Sequence, residues 1–242
     1  TDAYCYIGTE KPNHDVVIVG WDDSYSKDNF NTDLEGDGAF ICQNSWGDNF
    51  GENGFFYISY YDTNIGTHNV VYTDIENTDN YDHIYQSDLC GWVGQLGYNK
   101  DSIYGANVFT AEGNETLKAA SFYATGKDSQ YELYVVRQFE DETSLEKMIP
   151  VASGKLGNAG YYTVDFNQGI EVDAGERYAV VLYIITPGSV HPMAIEYAAD
   201  EATENVDLDD GESYISANGS KWVSVDTVEK SNLCIKAFSD NR

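Results

Sequence analysis

Positive charge is the scarcest thing in this sequence: 13 Lys and Arg stand against 41 Asp and Glu in 242 residues, a net charge of -28. An excess of carboxylates this large repels phosphate backbones, which excludes nucleic acid as a partner and disfavours an anionic membrane surface. No apolar run approaches the roughly 20 residues that a spanning helix needs, so no membrane insertion is expected. The four cysteines, Cys5, Cys42, Cys90 and Cys234, include no C-x-x-C pair, which removes zinc ribbons and thioredoxin-like chemistry. Buried free thiols are the default for them, with a Cys90–Cys234 disulfide as the alternative if the two sit on facing strands. Neither an initiating methionine nor a signal peptide precedes Thr1, so the chain reads as a piece of something longer. Amphipathic helices are nearly absent too, and with them the alternating helix and strand of a parallel sheet.

What remains is strand and turn. Hydrophobic residues make up 42% and aromatics 14%, with 20 Tyr, the composition of a packed β protein and not of a disordered chain. Strands are predicted over 3–7, 16–21, 39–43, 55–60 and 70–73, separated by Gly- and Asp-rich turns. The apolar-free stretch Glu76-Asn77-Thr78-Asp79-Asn80 then ends the first block. Beyond it, strands are predicted over 104–110, 117–124, 131–136, 161–166, 178–185 and 233–238, the cadence of an antiparallel β-sandwich. Domains are therefore placed at 1–75 and 82–242, joined by a linker over 76–81.

The acidity has two readings, solubility and calcium binding, and solubility is preferred. The best calcium candidate, Asn31 to Gly38, starts like an EF-hand loop, but its twelfth position is Cys42 and not a bidentate Glu, and that part reads as strand. The run from Asp200 to Glu212 has no ligand rhythm. No metal and no organic cofactor are expected.

Two stretches carry chemistry: Asn13-His14-Asp15-Val16-Val17-Ile18-Val19-Gly20-Trp21 and Gln43-Asn44-Ser45-Trp46-Gly47. In each, a polar side chain stands beside an apolar β-run, which holds it rigidly at a sheet edge. A thiol is mostly protonated at neutral pH, so a cysteine hydrolase sets a histidine beside it to form a thiolate–imidazolium pair and a third polar group to orient the ring. His14 suits the first task and Asn44 the second, with Trp46 as a cover that keeps water from the bond between them. The other histidines, His68, His83 and His191, read as structural or solvent-facing.

The first stretch, followed by Gln-Asn-Ser-Trp-Gly-Asp-x-Phe-Gly-Glu-Asn-Gly-Phe-Phe-Tyr-Ile ending at Ile58, resembles the C-terminal part of papain-family cysteine peptidases. The resemblance covers about residues 1–62. It implies that His14 is the general base, Asn44 its orienting amide and Trp46 their shield, in the antiparallel β lobe of a papain-like fold. The family's Cys-Gly-x-Cys-Trp block and upstream glutamine are absent here. Cys5 does not substitute, because it precedes His14 by only nine residues, on the strand leading into it. Asp15 stands where the family commonly has a small residue, and either tunes the histidine or faces solvent.

The second block carries Asp88-Leu89-Cys90-Gly91-Trp92 near its start, Gly211-Glu212-Ser213-Tyr214-Ile215-Ser216 leading to Trp222 near its end, and then Asn232-Leu233-Cys234-Ile235-Lys236-Ala237-Phe238. It resembles, more loosely, the lectin-like β-sandwich domain that follows papain-like modules in some secreted bacterial proteins. The expected whole is mainly β: a papain-like β lobe, then an antiparallel β-sandwich. The expected function is a secreted or cell-surface bacterial thiol protease, acting on a peptide or protein substrate through a Cys-His-Asn triad whose cysteine lies upstream. Glycan or cell-wall material is a further partner, with Trp92 and Trp222 as stacking candidates, although aromatics at alternating strand positions are more often core. The rival is a non-catalytic adhesion or carbohydrate-binding protein that keeps a degenerate protease lobe as scaffold.

Overall fold

A computed structural model describes residues 2–67 and 69–242. It divides into two compact units, Thr1–Thr73 and Asp74–Arg242. His68 lies outside the described residues.

The first unit holds β1 (Ala3–Tyr4), β2 (Val17–Asp22), β3 (Ala39–Gln43) and β4 (Phe55–Ser59) in one sheet of order β1-β4-β3-β2. Its two longer pairings are antiparallel, whereas β1 joins β4 in parallel through Ala3↔Tyr57. Period-two alternation along β3 and β4 supplies both faces with a small core. Ala39 packs with Phe30, Leu34 and Tyr57, and Cys42 packs with Phe56 and Ile58. A bulge between Ile18 and Gly20 bends β2, the edge strand. The predicted first strand stops at Tyr4 because Tyr6 finds other partners: its N–H donates to the Asp62 carboxylate, and its carbonyl accepts from Thr63 N–H. Residues 70–73 form no strand, contrary to expectation; Val70, Val71 and Tyr72 are exposed, with no described strand beside them.

The second unit contains β5 (His83–Tyr85), β6 (Gly94–Leu96), β7 (Ser102–Thr110), β8 (Glu115–Ala124), β9 (Ser129–Val136), β10 (Ile149–Leu156) and β11 (Gly160–Val172). It continues with β12 (Arg177–Ile185), β13 (Met193–Glu196), β14 (Ser213–Ser216), β15 (Val223–Ser224), β16 (Asn232–Leu233) and β17 (Ile235–Asn241). A six-stranded sheet, β10-β9-β12-β7-β14-β15, and a four-stranded sheet, β11-β8-β17-β5, are both antiparallel. Their inward residues meet in one core, with Leu133, Tyr178, Leu182 and Ile184 from the first sheet against Leu117, Phe122 and Ile235 from the second. Full burial of each of the Leu, Ile and Phe side chains contributes about 1.5–3 kcal/mol.

The predicted strand over 233–238 is broken at Cys234. Leu233 belongs to a small sheet, β16-β13-β6, and Ile235 to the four-stranded one. Buried Asn107 fastens the crossing, donating through Nδ2 to the carbonyls of Leu233 (2.9 Å) and Ile235 (2.8 Å). One half of the outer face of the six-stranded sheet is covered by Phe139 and Leu145, packed on Ala106, Val108, Ala179 and Val181. The segment that brings Leu145 there is a 3-10 turn, Glu142–Glu146, closed by a capping box between Asp141 and Ser144.

Candidate functional site

The β2–β3 pairing brings the two motif stretches together. Val17 stands opposite Gln43, so His14, three residues before β2, and Asn44, one residue after β3, emerge at the same end of the hairpin. A separation of 30 residues in sequence closes to 3.0 Å between His14 Nε2 and Asn44 Oδ1. An amide oxygen only accepts, so His14 Nε2 carries the proton and donates, which leaves Nδ1 as the basic nitrogen. Asn44 is buried and held from behind by its own N–H, which donates to the Gly54 carbonyl at 2.9 Å.

Trp46 stacks on the His14 ring, with centroids 5.0 Å apart and planes 29° from parallel. Phe50 meets Trp46 edge-on at 5.0 Å, and Phe56 meets Phe50 at 5.5 Å. The imidazole is thus tied by successive aromatic contacts to the Phe56 core. The turn after Trp46 makes this possible. At Gly51, φ is +56° and a Cβ would stand 2.1 Å from the Phe55 carbonyl oxygen, so only glycine fits. Gly51→Ala is expected to destabilise the unit by about 2 kcal/mol or more. Urea unfolding followed by tryptophan fluorescence measures this, and an unchanged midpoint would contradict it.

A cleft of about 670 Å³ opens beside these residues, lined among others by Tyr4, Tyr6, His14, Asn44 and Trp46. Cys5 is not in its wall. Tyr4 and Tyr6 border the cleft, while Cys5 packs with the Phe30 and Leu34 cluster. Burial pushes the Cys5 thiol up, Ser59 opposes this, and the Asp62 charge adds to the rise. Cys42 is buried and pushed up to about 11. Neither has the depressed pKa or the neighbours of a nucleophile. Asp62, which the motif reading missed, accepts from the backbone N–H groups of Tyr6, Asn64 and Ile65 and shapes the cleft wall. Its only sequence signal is a turn-forming Asp after an apolar strand. Asp15 faces solvent.

In the loop over 31–38, Asp37 accepts from Lys27 N–H and the Lys27 ammonium donates to the Leu34 carbonyl. The carboxylate there organises a turn. Among the described residues, no three His, Cys, Asp or Glu side chains are grouped to hold a metal ion, and the four cysteines are free thiols. His83 bonds Asn241 through Nε2, and His191 is exposed. Trp92 is 37% exposed and tilts against Tyr123. Trp222 is half-buried and edge-on to Tyr104, and its Nε1 has no hydrogen-bond partner among the described residues. No described helix is long and apolar enough to cross a membrane.

Residues 3–75 match the papain family cysteine protease, and residues 84–239 match the lectin like domain. Among solved structures, the chain is similar to the clostridial cysteine protease Cwp84 after propeptide cleavage, at 30% identity and a TM-score of 0.82 over 99% of this chain and 61% of that one. It is also similar to the cysteine protease and lectin-like domains of Cwp84, a surface layer associated protein of Clostridium difficile, at 27% identity and a TM-score of 0.78 over 99% of this chain and 55% of that one. The chain thus spans about three fifths of the length of these relatives. No curated protein matches it. Over most of its length the chain belongs to the lectin-like domain family, and it joins that domain to the C-terminal part of a papain-family cysteine protease.

Proposed function

We propose that the chain is the histidine-bearing lobe and accessory domain of a secreted or surface-bound cysteine peptidase, with the lobe at 1–75, a linker at 76–81 and the lectin-like domain at 82–242. The carrying observation is the His14–Asn44 bond under Trp46 at the edge of an open cleft. Cysteine hydrolysis requires a base with one nitrogen fixed and the other free, and that is the state in which Asn44 leaves His14. The nucleophile is supplied by chain beyond these residues. Its thiolate attacks the scissile carbonyl, and the tetrahedral intermediate collapses to an acyl thioester as His14 Nδ1 gives its proton to the leaving amine. His14 then takes a proton from water, which hydrolyses the thioester.

The surface of the first unit favours this reading. Val17, Val19 and Trp21 of edge strand β2 are 57%, 51% and 69% exposed; the bulge divides this apolar surface between the two faces of the sheet, and surface of this kind is normally covered by further polypeptide. The 242 residues alone are expected to cleave no peptide substrate and to take up no active-site-directed epoxide at Cys5. Mass spectrometry after labelling tests this, and selective modification of Cys5 would overturn the assignment.

The adhesion alternative, a degenerate protease lobe kept as scaffold, separates from the peptidase at the upstream nucleophile position. Cysteine there supports the enzyme, and serine or glycine supports the alternative. Under both readings the second domain binds glycan or cell-wall material; the support is the lectin-like family match and the many aromatic side chains on its sheets.

A further inference from the structure

We propose that the second unit holds its sugar on the uncovered half of the outer face of the six-stranded sheet, in a cleft built on Tyr183, and that the ligand is an uncharged pyranose. This rests on the glycan-binding reading above and locates it. Directly opposed residues in antiparallel strands share a face, so the registers Ser153↔Glu132, Glu132↔Tyr183, Tyr183↔Tyr104 and Tyr104↔Ser216 define one row across five strands. The adjoining row runs Lys155↔Gln130 and Gln130↔Ile185.

Tyr183 and Tyr104 stack with centroids 4.2 Å apart and planes 22° from parallel, and Trp222 meets Tyr104 edge-on at 6.2 Å. The Tyr183 face turned to β7 is therefore occupied. Its opposite face looks toward β9 and β10, where a cleft of about 270 Å³ is lined by Gln130, Glu132, Ser153, Lys155, Tyr183 and Ile185, with Tyr131 and Gly154 between them. An open ring face bordered by hydrogen-bonding groups suits a sugar, whose C–H face packs on an aromatic ring while its hydroxyls reach outward. The volume is just below the roughly 300 Å³ at which small-molecule sites begin, so it accommodates one ring of a longer chain.

The polar groups are available. The side chains of Gln130, Ser153 and Lys155 have no hydrogen-bond or ion-pair partner among the described residues. Glu132 is oriented by Tyr134, whose hydroxyl donates to Oε2 and leaves Oε1 free. One carboxylate and one ammonium leave the cleft close to neutral, and the chain's net charge of -28 disfavours a polyanionic glycan. Trp92 packs on Tyr123 of β8, in the other sheet, and takes no part.

The test uses the whole 242-residue chain on immobilised chitohexaose, cellohexaose and mannohexaose, with heparin as the anionic probe. Binding to at least one neutral oligosaccharide is expected, with Tyr183→Ala weakening it by about ten-fold or more. Tyr183→Phe, which keeps the ring, should stay within about two-fold, as should Trp92→Ala. Glu132→Gln should weaken binding several-fold without altering the thermal midpoint. If the chain binds and Tyr183→Ala leaves affinity unchanged while Trp92→Ala abolishes it, the glycan reading stands and this location falls. Retention on heparin alone overturns the neutral ligand. No binding to any probe overturns the glycan reading and this inference with it.

Discussion

On the proposed peptidase function, His14→Ala in the parent protein is expected to lower kcat/KM on a peptide substrate by about four to six orders of magnitude, the range seen when the base of a nucleophile–base pair is deleted. Without the imidazole, the thiol has no partner to stabilise its thiolate and the leaving amine has no proton donor, so both halves of the acyl transfer fail. Asn44→Ala should have a smaller effect, about 10- to 100-fold, because the ring keeps its stacking contact with Trp46 at 5.0 Å. Activity of His14→Ala within ten-fold of wild type would exclude His14 as the base.

The adjacency of His14 and Asn44 is legible in the sequence because each adjoins an apolar strand, and pairing those strands in register closes the gap between them. The mainly antiparallel β architecture follows in the same way from runs of alternating residues between turns. Features that depend on register across several strands are not legible. Tyr183 and Tyr104 lie in two separate predicted strands, and their contact emerges only when those strands are aligned; Trp222, conspicuous in the sequence, turns out to support Tyr104 from the side. The break at Cys234 is hidden for a related reason. The run from Leu233 to Phe238 is continuously apolar but for Lys236, and the group that divides it is the buried amide of Asn107, more than a hundred residues earlier. The early end of β1 likewise depends on Asp62, whose carboxylate claims the Tyr6 N–H.

Asp88→Asn is expected to stabilise the second unit at about pH 8 by roughly 1–3 kcal/mol, an advantage that vanishes at about pH 4. Asp88 is 0% exposed, and neither of its carboxylate oxygens has a hydrogen-bond partner among the described residues. Burial raises its pKa from 3.8 to about 6; the Lys236 ammonium, 3.5 Å from Oδ2, works against the rise, and the Glu196 carboxylate adds to it. The Cys234 thiol and the Tyr123 and Tyr161 hydroxyls also feel its charge, each pushed up first by burial and further by Asp88. Because the folded-state value lies above the unfolded one, this group's contribution to stability is complete below about pH 4 and is lost as the pH rises through about 6, a span worth about 3 kcal/mol. Asparagine keeps the shape and removes the charge, so the wild type should weaken against the variant across that window. Lys236 is not stranded by the change, since it also donates to Gln86 Oε1 at 2.6 Å and lies 5.9 Å from the centre of the Tyr161 ring. Thermal midpoints of both proteins between about pH 4 and 8 check this, at roughly 2–4 °C per kcal/mol for a unit of this size. A variant less stable than wild type at about pH 8 would mean that the attraction of Lys236 outweighs the burial of the carboxylate, and would reverse the sign argued here.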